Sequence, residues 1–190
     1  LMSVYVGLSP HISENGMVVE VGQFVGSSSD AGRGTRLYVL DTRERRMVNP
    51  LAVMDQSEDD KAPVLLSAAL SREAVEMPLS SAKEIAQGNW YLLLDAVDVS
   101  PPGLDWPAFS LRVLVNGSER ASAVYDAAWA SQGVSRLFSR TNLVEEDCIL
   151  ADGRIRFGPL ALPRGKVAIS VIAQDYAGNT REASWTLSVQ

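Results

Sequence analysis

The run Lys166-Val-Ala-Ile-Ser-Val-Ile-Ala173 decides the fold class, because its apolar and β-branched residues predict a buried strand. It leads through Asp175-Tyr-Ala-Gly-Asn179 into a second run of strand-forming residues, 182–189. Glycine permits the positive φ that a tight turn needs. These two runs therefore predict a hairpin around Ala177-Gly-Asn179.

Further strand patterns precede this hairpin. Asn89-Trp-Tyr-Leu-Leu-Leu-Asp-Ala-Val-Asp-Val99 is predicted as one long strand, and Phe109-Ser-Leu-Arg-Val-Leu-Val115 alternates before Asn116-Gly117, a strong hairpin signal. With the runs 64–70 and 154–157, about seven strands fall between 63 and 190, which is typical of an immunoglobulin-like antiparallel β-sandwich. The stretches 80–87 and 124–131 are predicted as short helices.

Composition excludes several functions. The 190 residues are 46% hydrophobic and carry a net charge of −6, which indicates a folded chain and argues against a nucleic-acid partner. With His11 as the single histidine and Cys148 as the single cysteine, the chain supplies neither an internal disulfide nor a multi-histidine zinc site. No apolar run approaches the roughly 20 residues of a membrane span.

The first 54 residues form a separate region in this prediction. Glycines punctuate two β-rich runs, Met17-Val-Val-Glu-Val21 and Arg36-Leu-Tyr-Val-Leu40. The polar stretch Gln56-Ser-Glu-Asp-Asp-Lys61, before Pro63, is the best linker candidate. We therefore predict a first region at 1–54, a linker at 55–62 and the sandwich at 63–190. Since the chain does not open with Met, we expect a processed product or a fragment.

A set of short motifs in the first region has a recognisable order and spacing. They are Tyr5-Val-Gly-Leu-Ser9, Gly16-Met-Val-Val-Glu-Val-Gly-Gln-Phe-Val-Gly26, Arg36-Leu-Tyr38 and Asn49-Pro50. This series resembles the C-terminal half of the LytM-type (lysostaphin-like) zinc endopeptidases of bacterial cell walls. The resemblance implies a partial LytM-like β domain in an all-β chain. It also implies an extracytoplasmic, periplasmic or cell-envelope location.

The departures from that family concern its catalytic histidines. The resemblance implies a histidine in the Tyr-x-His-Leu-Ser motif and a His-x-His pair, but this chain has Gly7, Arg36 and Tyr38 at those positions. A guanidinium stays protonated and a phenol loses its proton only near pH ~10, so neither replaces a neutral imidazole on zinc. Gly7, Arg36 and Tyr38 are therefore predicted to form a degenerate site, with no catalytic residue, no metal and no cofactor. His11 is out of register with the family's histidine and is predicted to lie in a surface loop.

Three residues are candidate ligand contacts. Arg36 and Tyr38 are two apart on one predicted strand, so they point the same way and offer a charged donor and a ring to a peptide carboxylate or glycan. The alternative is that they only fill the space of a lost metal site. Trp106 lies among prolines in an irregular stretch, where an exposed indole suits a sugar contact.

A calcium site at one end of the sandwich is a further possibility. Asp95, Asp98 and Asp175 all lie near predicted strand ends. Calcium prefers six to eight oxygen ligands, but no Asp-x-Asp-x-Asp-Gly loop is present. Aspartates at strand ends usually cap turns, so we expect these three to do so rather than bind metal.

Three hypotheses for function follow. In the first, the chain is a non-catalytic cell-envelope protein that binds peptidoglycan or regulates a cell-wall hydrolase, with the sandwich as an interaction or spacer module. In the second, it is a fragment of a zinc-dependent wall endopeptidase whose catalytic half is missing. In the third, it is a purely structural envelope or adhesin module. A second chain that supplies the missing N-terminal half is an additional expected partner.

Overall fold

The strands are short and numerous and alternate with turns. A computed structural model describes residues 1–10, 16–28, 35–54, 58–100, 104–131, 134–137 and 148–190. The strands are, in chain order, β1 (Met2–Val6), β2 (Leu8–Pro10), β3 (Gly26–Ser28), β4 (Arg36–Asp41), β5 (Arg46–Val48), β6 (Val64–Arg72), β7 (Val75–Pro78), β8 (Glu84–Ile85), β9 (Gly88–Ser100), β10 (Leu104–Pro107), β11 (Ser110–Val115), β12 (Ser118–Val124), β13 (Ala127–Ser131), β14 (Val134–Leu137), β15 (Ile155–Leu162), β16 (Gly165–Gln174) and β17 (Thr180–Val189). A 3₁₀ turn spans Pro50–Ala52. The predicted all-β class is confirmed.

Two sheets face each other in the C-terminal part. One has the order β10-β9-β6-β7, with β15 pairing along the same edge of β9 as β10, and the other has the order β12-β11-β16-β17-β8. All pairs are antiparallel except β8 with β17. Hairpins such as β9–β10 and β16–β17 stay within one sheet, and the chain passes from one sheet to the other between β10 and β11 and between β15 and β16, as chains do in immunoglobulin-type sandwiches. Membership in the immunoglobulin-like modules stays a prediction.

The core lies between these two sheets. Alternate residues of β16 are buried, and alternate residues of β9 belong to the core cluster, as expected for strands with one face on a core. Phe157 on β15 and Leu111 on β11 are fully buried and close the layer from the two sides. The two predicted hairpins are both present. In one, Asn116 and Gly117 join β11 to β12 with φ of +51° and +77°, the signs of a type I′ turn.

A third sheet contains the first region and part of the second. Its order is β1-β4-β5-β13-β14, so β13, which begins at residue 127, pairs with β5 from the first 54 residues, and β14 pairs with β13. Strands β2 and β3 form a separate ribbon. The division into 1–54, 55–62 and 63–190 stays a prediction. The shared sheet means, however, that the two parts are interleaved rather than consecutive in space.

Three local predictions are wrong. The run 17–21 lies outside any strand, and Val18 is 93% exposed, because no described strand lies beside it to pair with its backbone. The stretch 124–131 contains the end of β12, a turn and β13 instead of a helix, because Ala128 pairs with Met47 on one side and Leu137 on the other. Pairing on both edges overrides the helix propensity of its alanines. The stretch 80–87 contains a turn and β8.

Within the described ranges, no helix has the length and hydropathy that crossing a membrane requires.

Candidate functional site

The degenerate site predicted from the motifs lies at one end of the β1–β4 pair. Arg36 faces Val6 across the ladder, so Gly7 follows directly beside it, and Tyr38 lies two residues further along β4. The Thr35 hydroxyl donates a hydrogen bond to the carbonyl oxygen of Gly7 at 3.4 Å. Both Arg36 and Tyr38 are exposed. His11 lies outside the described residues.

An apolar hollow of about 310 Å³ lies where this N-terminal sheet meets the sandwich. Its lining comes from β4, β5, the 3₁₀ turn, β10 and the start of β13, and consists of Leu37, Tyr38, Val39, Met47, Val48, Asn49, Pro50, Trp106, Tyr125, Ala127 and Ala128. Two of the three predicted ligand contacts, Tyr38 and Trp106, therefore line one hollow. Arg36 is not part of the lining.

Asn49 holds the two sides of the hollow together. Its Nδ2 donates to the carbonyl oxygen of Tyr125 at 2.6 Å, and its backbone N–H donates to the carbonyl oxygen of Asp126 at 2.9 Å. Its Oδ1 accepts from the backbone N–H of Leu51 at 3.0 Å, which starts the 3₁₀ turn. Burial, and to a smaller extent the thiol of Cys148, raises the pKa of Tyr125, so this phenol stays protonated. The surface that the lining presents to a ligand is almost entirely apolar.

A cluster of carboxylates lies at one end of the sandwich. Oxygen atoms of Asp59, Asp98 and Asp175 lie within 4.8 Å of one another. Two of the three aspartates considered from the sequence, Asp98 and Asp175, belong to it, and Asp95 does not. Asp59 was missed because it lies in the charged run 58–60, which looks like a solvated linker.

The alternation of the strands explains why Asp98 and Asp175 meet. On β9 the core-cluster residues Trp90, Leu92, Leu94 and Ala96 occupy every second position, and Asp98 is the next in that series. On β16 the buried residues Val167, Ile169, Val171 and Ala173 are followed in the same way by Asp175. Two core-facing rows, one from each sheet, thus end in a carboxylate at the same end. Asp95 has the opposite phase on β9, and this signal was already present in the sequence.

Asp175 is 1% exposed and is held by its own turn. Its Oδ1 accepts from the backbone N–H groups of Gly178 and Asn179 at 2.7 and 2.8 Å, and its Oδ2 accepts from Asn179 Nδ2 at 2.9 Å. The same Nδ2 donates to the carbonyl oxygen of Asp59 at 3.0 Å. The turn that closes β16 therefore also fixes the segment before β6.

Asp98 is the least satisfied of the three carboxylates. Its Oδ1 is shielded from solvent and accepts no hydrogen bond within the described part of the chain. Burial raises the pKa of Asp98, and the neighbouring charges of Asp59 and Asp175 raise it further. None of the ion pairs formed by described residues includes any of these three side chains.

Comparison with known proteins places the chain in a family. The model of an uncharacterised protein family matches residues 62–190, more than half of the chain. The chain belongs to this family. No curated protein and no solved structure matched it.

The extent of the family match divides the candidate residues. Trp106, Asp98 and Asp175 lie inside the matched range, whereas Tyr38 and Asp59 precede it. Both the hollow and the carboxylate cluster thus combine residues of the family region with residues from the preceding part of the chain.

Proposed function

We propose that the chain is a non-catalytic binding protein of the bacterial cell envelope, and that the hollow receives an apolar side chain of a partner protein. In our hypothesis that partner is a cell-wall hydrolase. The observation that carries the proposal is that Tyr38 and Trp106, two residues selected from the sequence as ligand contacts, line the same hollow. The envelope location rests on the resemblance of the first fifty residues to LytM-type domains.

The chemistry of the lining favours a protein side chain over a glycan. Sugar hydroxyls that leave water without finding a partner are costly to bury. The one amide side chain of the lining, Asn49, already uses both Nδ2 and Oδ1 in hydrogen bonds. The volume of about 310 Å³ is at the lower end for ligand pockets, which span roughly 300–1,000 Å³, and suits one or two inserted side chains.

The charge of the chain adds a preference among proteins. A net charge of −6 attracts a basic partner and repels an acidic one over distances of about a Debye length. We therefore expect a partner with an apolar anchor surrounded by lysine or arginine. Such a charge complement increases the association rate more than it increases the final affinity.

Calorimetric titration of the purified chain with wall hydrolases and, separately, with soluble peptidoglycan fragments tests this function. A hydrolase should bind, and Trp106→Ala or Tyr38→Ser should weaken binding about tenfold or more, as expected for aromatic anchors. Tyr91→Ser is the matched control, because Tyr91 and Tyr38 are both 37% exposed and Tyr91 lies on β9 away from the hollow.

Three results would overturn the proposal. The first is binding of peptidoglycan fragments alone, and the second is no binding of either probe. The third is about one zinc per chain, measured by mass spectrometry of the protein from its complete gene, because that would favour the endopeptidase hypothesis.

A further inference from the structure

The carboxylate cluster combines like charges with burial, and that combination is unfavourable without a cation. Asp175 is almost fully buried, and Asp59 and Asp98 are each partly buried. Charges removed from water need a partner of opposite sign, or else they neutralise. No basic side chain of the described residues forms an ion pair with any of them.

A second observation, independent of the cluster, concerns one atom. Asp98 Oδ1 is shielded from solvent and lacks a hydrogen-bond donor among the described residues. Buried polar atoms are nearly always paired, so an orphaned carboxylate oxygen beside two other carboxylates indicates a missing positive partner. The other two aspartates are positioned by hydrogen bonds: Lys61 N–H donates to Asp59 Oδ1 at 3.0 Å, and the turn at 178–179 holds Asp175.

We propose that Asp59, Asp98 and Asp175 form a calcium-binding site that fastens the segment before β6 to the end of the sandwich. Oxygens bound to one calcium ion at about 2.3–2.6 Å lie at most about 5 Å from one another, which the separation of 4.8 Å satisfies. Water completes the six to eight ligands that calcium takes. Magnesium fits less well, because it requires near-ideal octahedral geometry and gives up its water reluctantly.

The three ligands come from three separate parts of the chain. Asp98 ends a row of one sheet, Asp175 ends a row of the other, and Asp59 precedes β6. A bound ion therefore ties the two sheets and the connecting segment together at one point. None of its three residues is part of the hollow's lining, but Asp98 faces the lining residue Trp106 across the β9–β10 ladder, so the two sites are neighbours.

Protection of the connecting segment from proteolysis is the main test. Lys61 is exposed and lies two residues after Asp59, so a lysine-specific endoproteinase should cleave there in calcium-free protein. Calcium at ten times its dissociation constant should slow this cleavage about tenfold. Asp98→Asn and Asp59→Asn should abolish the protection. Asp95→Asn, on the same strand but outside the cluster, should keep it.

Two further measurements make the test decisive. Calcium should raise the melting temperature by about 3–10 °C over a chelator-treated sample, and magnesium at the same concentration should raise it less. Terbium should bind in place of calcium and be sensitised by Trp106, which faces Asp98 across the β9–β10 ladder. Terbium emission should fall in Trp106→Phe and in Asp98→Asn.

The proposal is overturned by any of three results. The first is no effect of calcium up to about 10 mM, which is well above the 0.1–1 mM typical of weak extracellular sites. The second is a response to magnesium alone. The third is protection from cleavage that survives Asp98→Asn. Since Asp59→Asn alters a partly exposed side chain, this variant should fold. The test therefore does not depend on Asp98→Asn being stable.

Discussion

The sandwich and the N-terminal sheet both contain many apolar residues, but they bury them to different extents. In the sandwich, side chains from two facing sheets form one core cluster. Among the described residues before 54, Val39 is the buried apolar residue, and it lies outside that cluster. In a sandwich, two sheets bury each other's apolar side chains, whereas a single sheet needs another part of the protein to cover its apolar face. The N-terminal sheet therefore depends on its pairing with β13 and on the hydrogen bonds of Asn49 to residues 125 and 126.

The largest difference should appear in core truncations. Phe157→Ala removes a fully buried ring of the sandwich and should lower the free energy of unfolding by about 3–5 kcal/mol. Val39→Ala should lower it by about 1–2 kcal/mol, since it removes less apolar surface from a thinner layer. Urea unfolding measures both. Equal losses in the two variants would mean that the N-terminal sheet has a core as complete as that of the sandwich.

The dependence of one region on the other can be tested at Asn49. Asn49→Ala leaves the Tyr125 carbonyl and the Leu51 N–H without their partner, at a cost of about 1–3 kcal/mol. Amide hydrogen exchange should accelerate in β4, β5 and β13 and stay unchanged in β16 and β17. Equal acceleration throughout the chain would contradict the idea that the N-terminal sheet opens separately.

Two glycines give a smaller contrast. Gly117→Ala places a side chain at φ +77° in the β11–β12 turn and should destabilise the sandwich by about 1 kcal/mol. Gly26→Ala would bring a Cβ against the Ser9 carbonyl oxygen and disrupt the β2–β3 ribbon. Because this ribbon adds no described residue to the core, the melting temperature should change less with Gly26→Ala. The reverse order would show that the ribbon contributes to global stability.

The smallest effect should come from a surface ion pair of the sandwich. Arg154 binds both oxygens of Glu76 and also Asp152 Oδ2, so it joins the start of β15 to β7. Glu76→Gln should cost at most about 1 kcal/mol, because the pair is partly exposed. The loss should shrink at high salt, as thermal melts at two ionic strengths would show. A larger, salt-insensitive loss would imply that β7 depends on this contact for its position.

The sandwich was more predictable from sequence than the N-terminal sheet, for a physical reason. In runs such as 89–99 and 166–173, the local order of apolar residues predicts which side chains are buried, because each run packs on the core along most of its length. The run 17–21 and the stretch 124–131 depend on whether a distant strand pairs with them, and no local pattern records that. Residues 127–131 form a strand because they pair with β5. The run 17–21 pairs with none of the described strands.

The candidate sites divide in a similar way. Tyr38 and Trp106 were selected separately, and nothing in the sequence indicated that they would line one hollow. Asp98 and Asp175 continue the core-facing alternation of their strands. Because side chains in a strand alternate with a period of two residues, their proximity could have been predicted from the sequence. Asp59 carries no such signal, because its position depends on the hydrogen bond from Asn179 across the fold.

The interleaved order of the sheets also has a consequence for synthesis on the ribosome. Asn49 and Tyr125, which join the two sides of the hollow, are 76 positions apart. At translation rates of about 5–20 residues per second, β5 waits roughly 4–15 s for its partner strand to be made. During that interval its free edge can pair with another nascent chain. Chaperone demand should therefore peak while residues 55–130 are being translated, before the sandwich is complete.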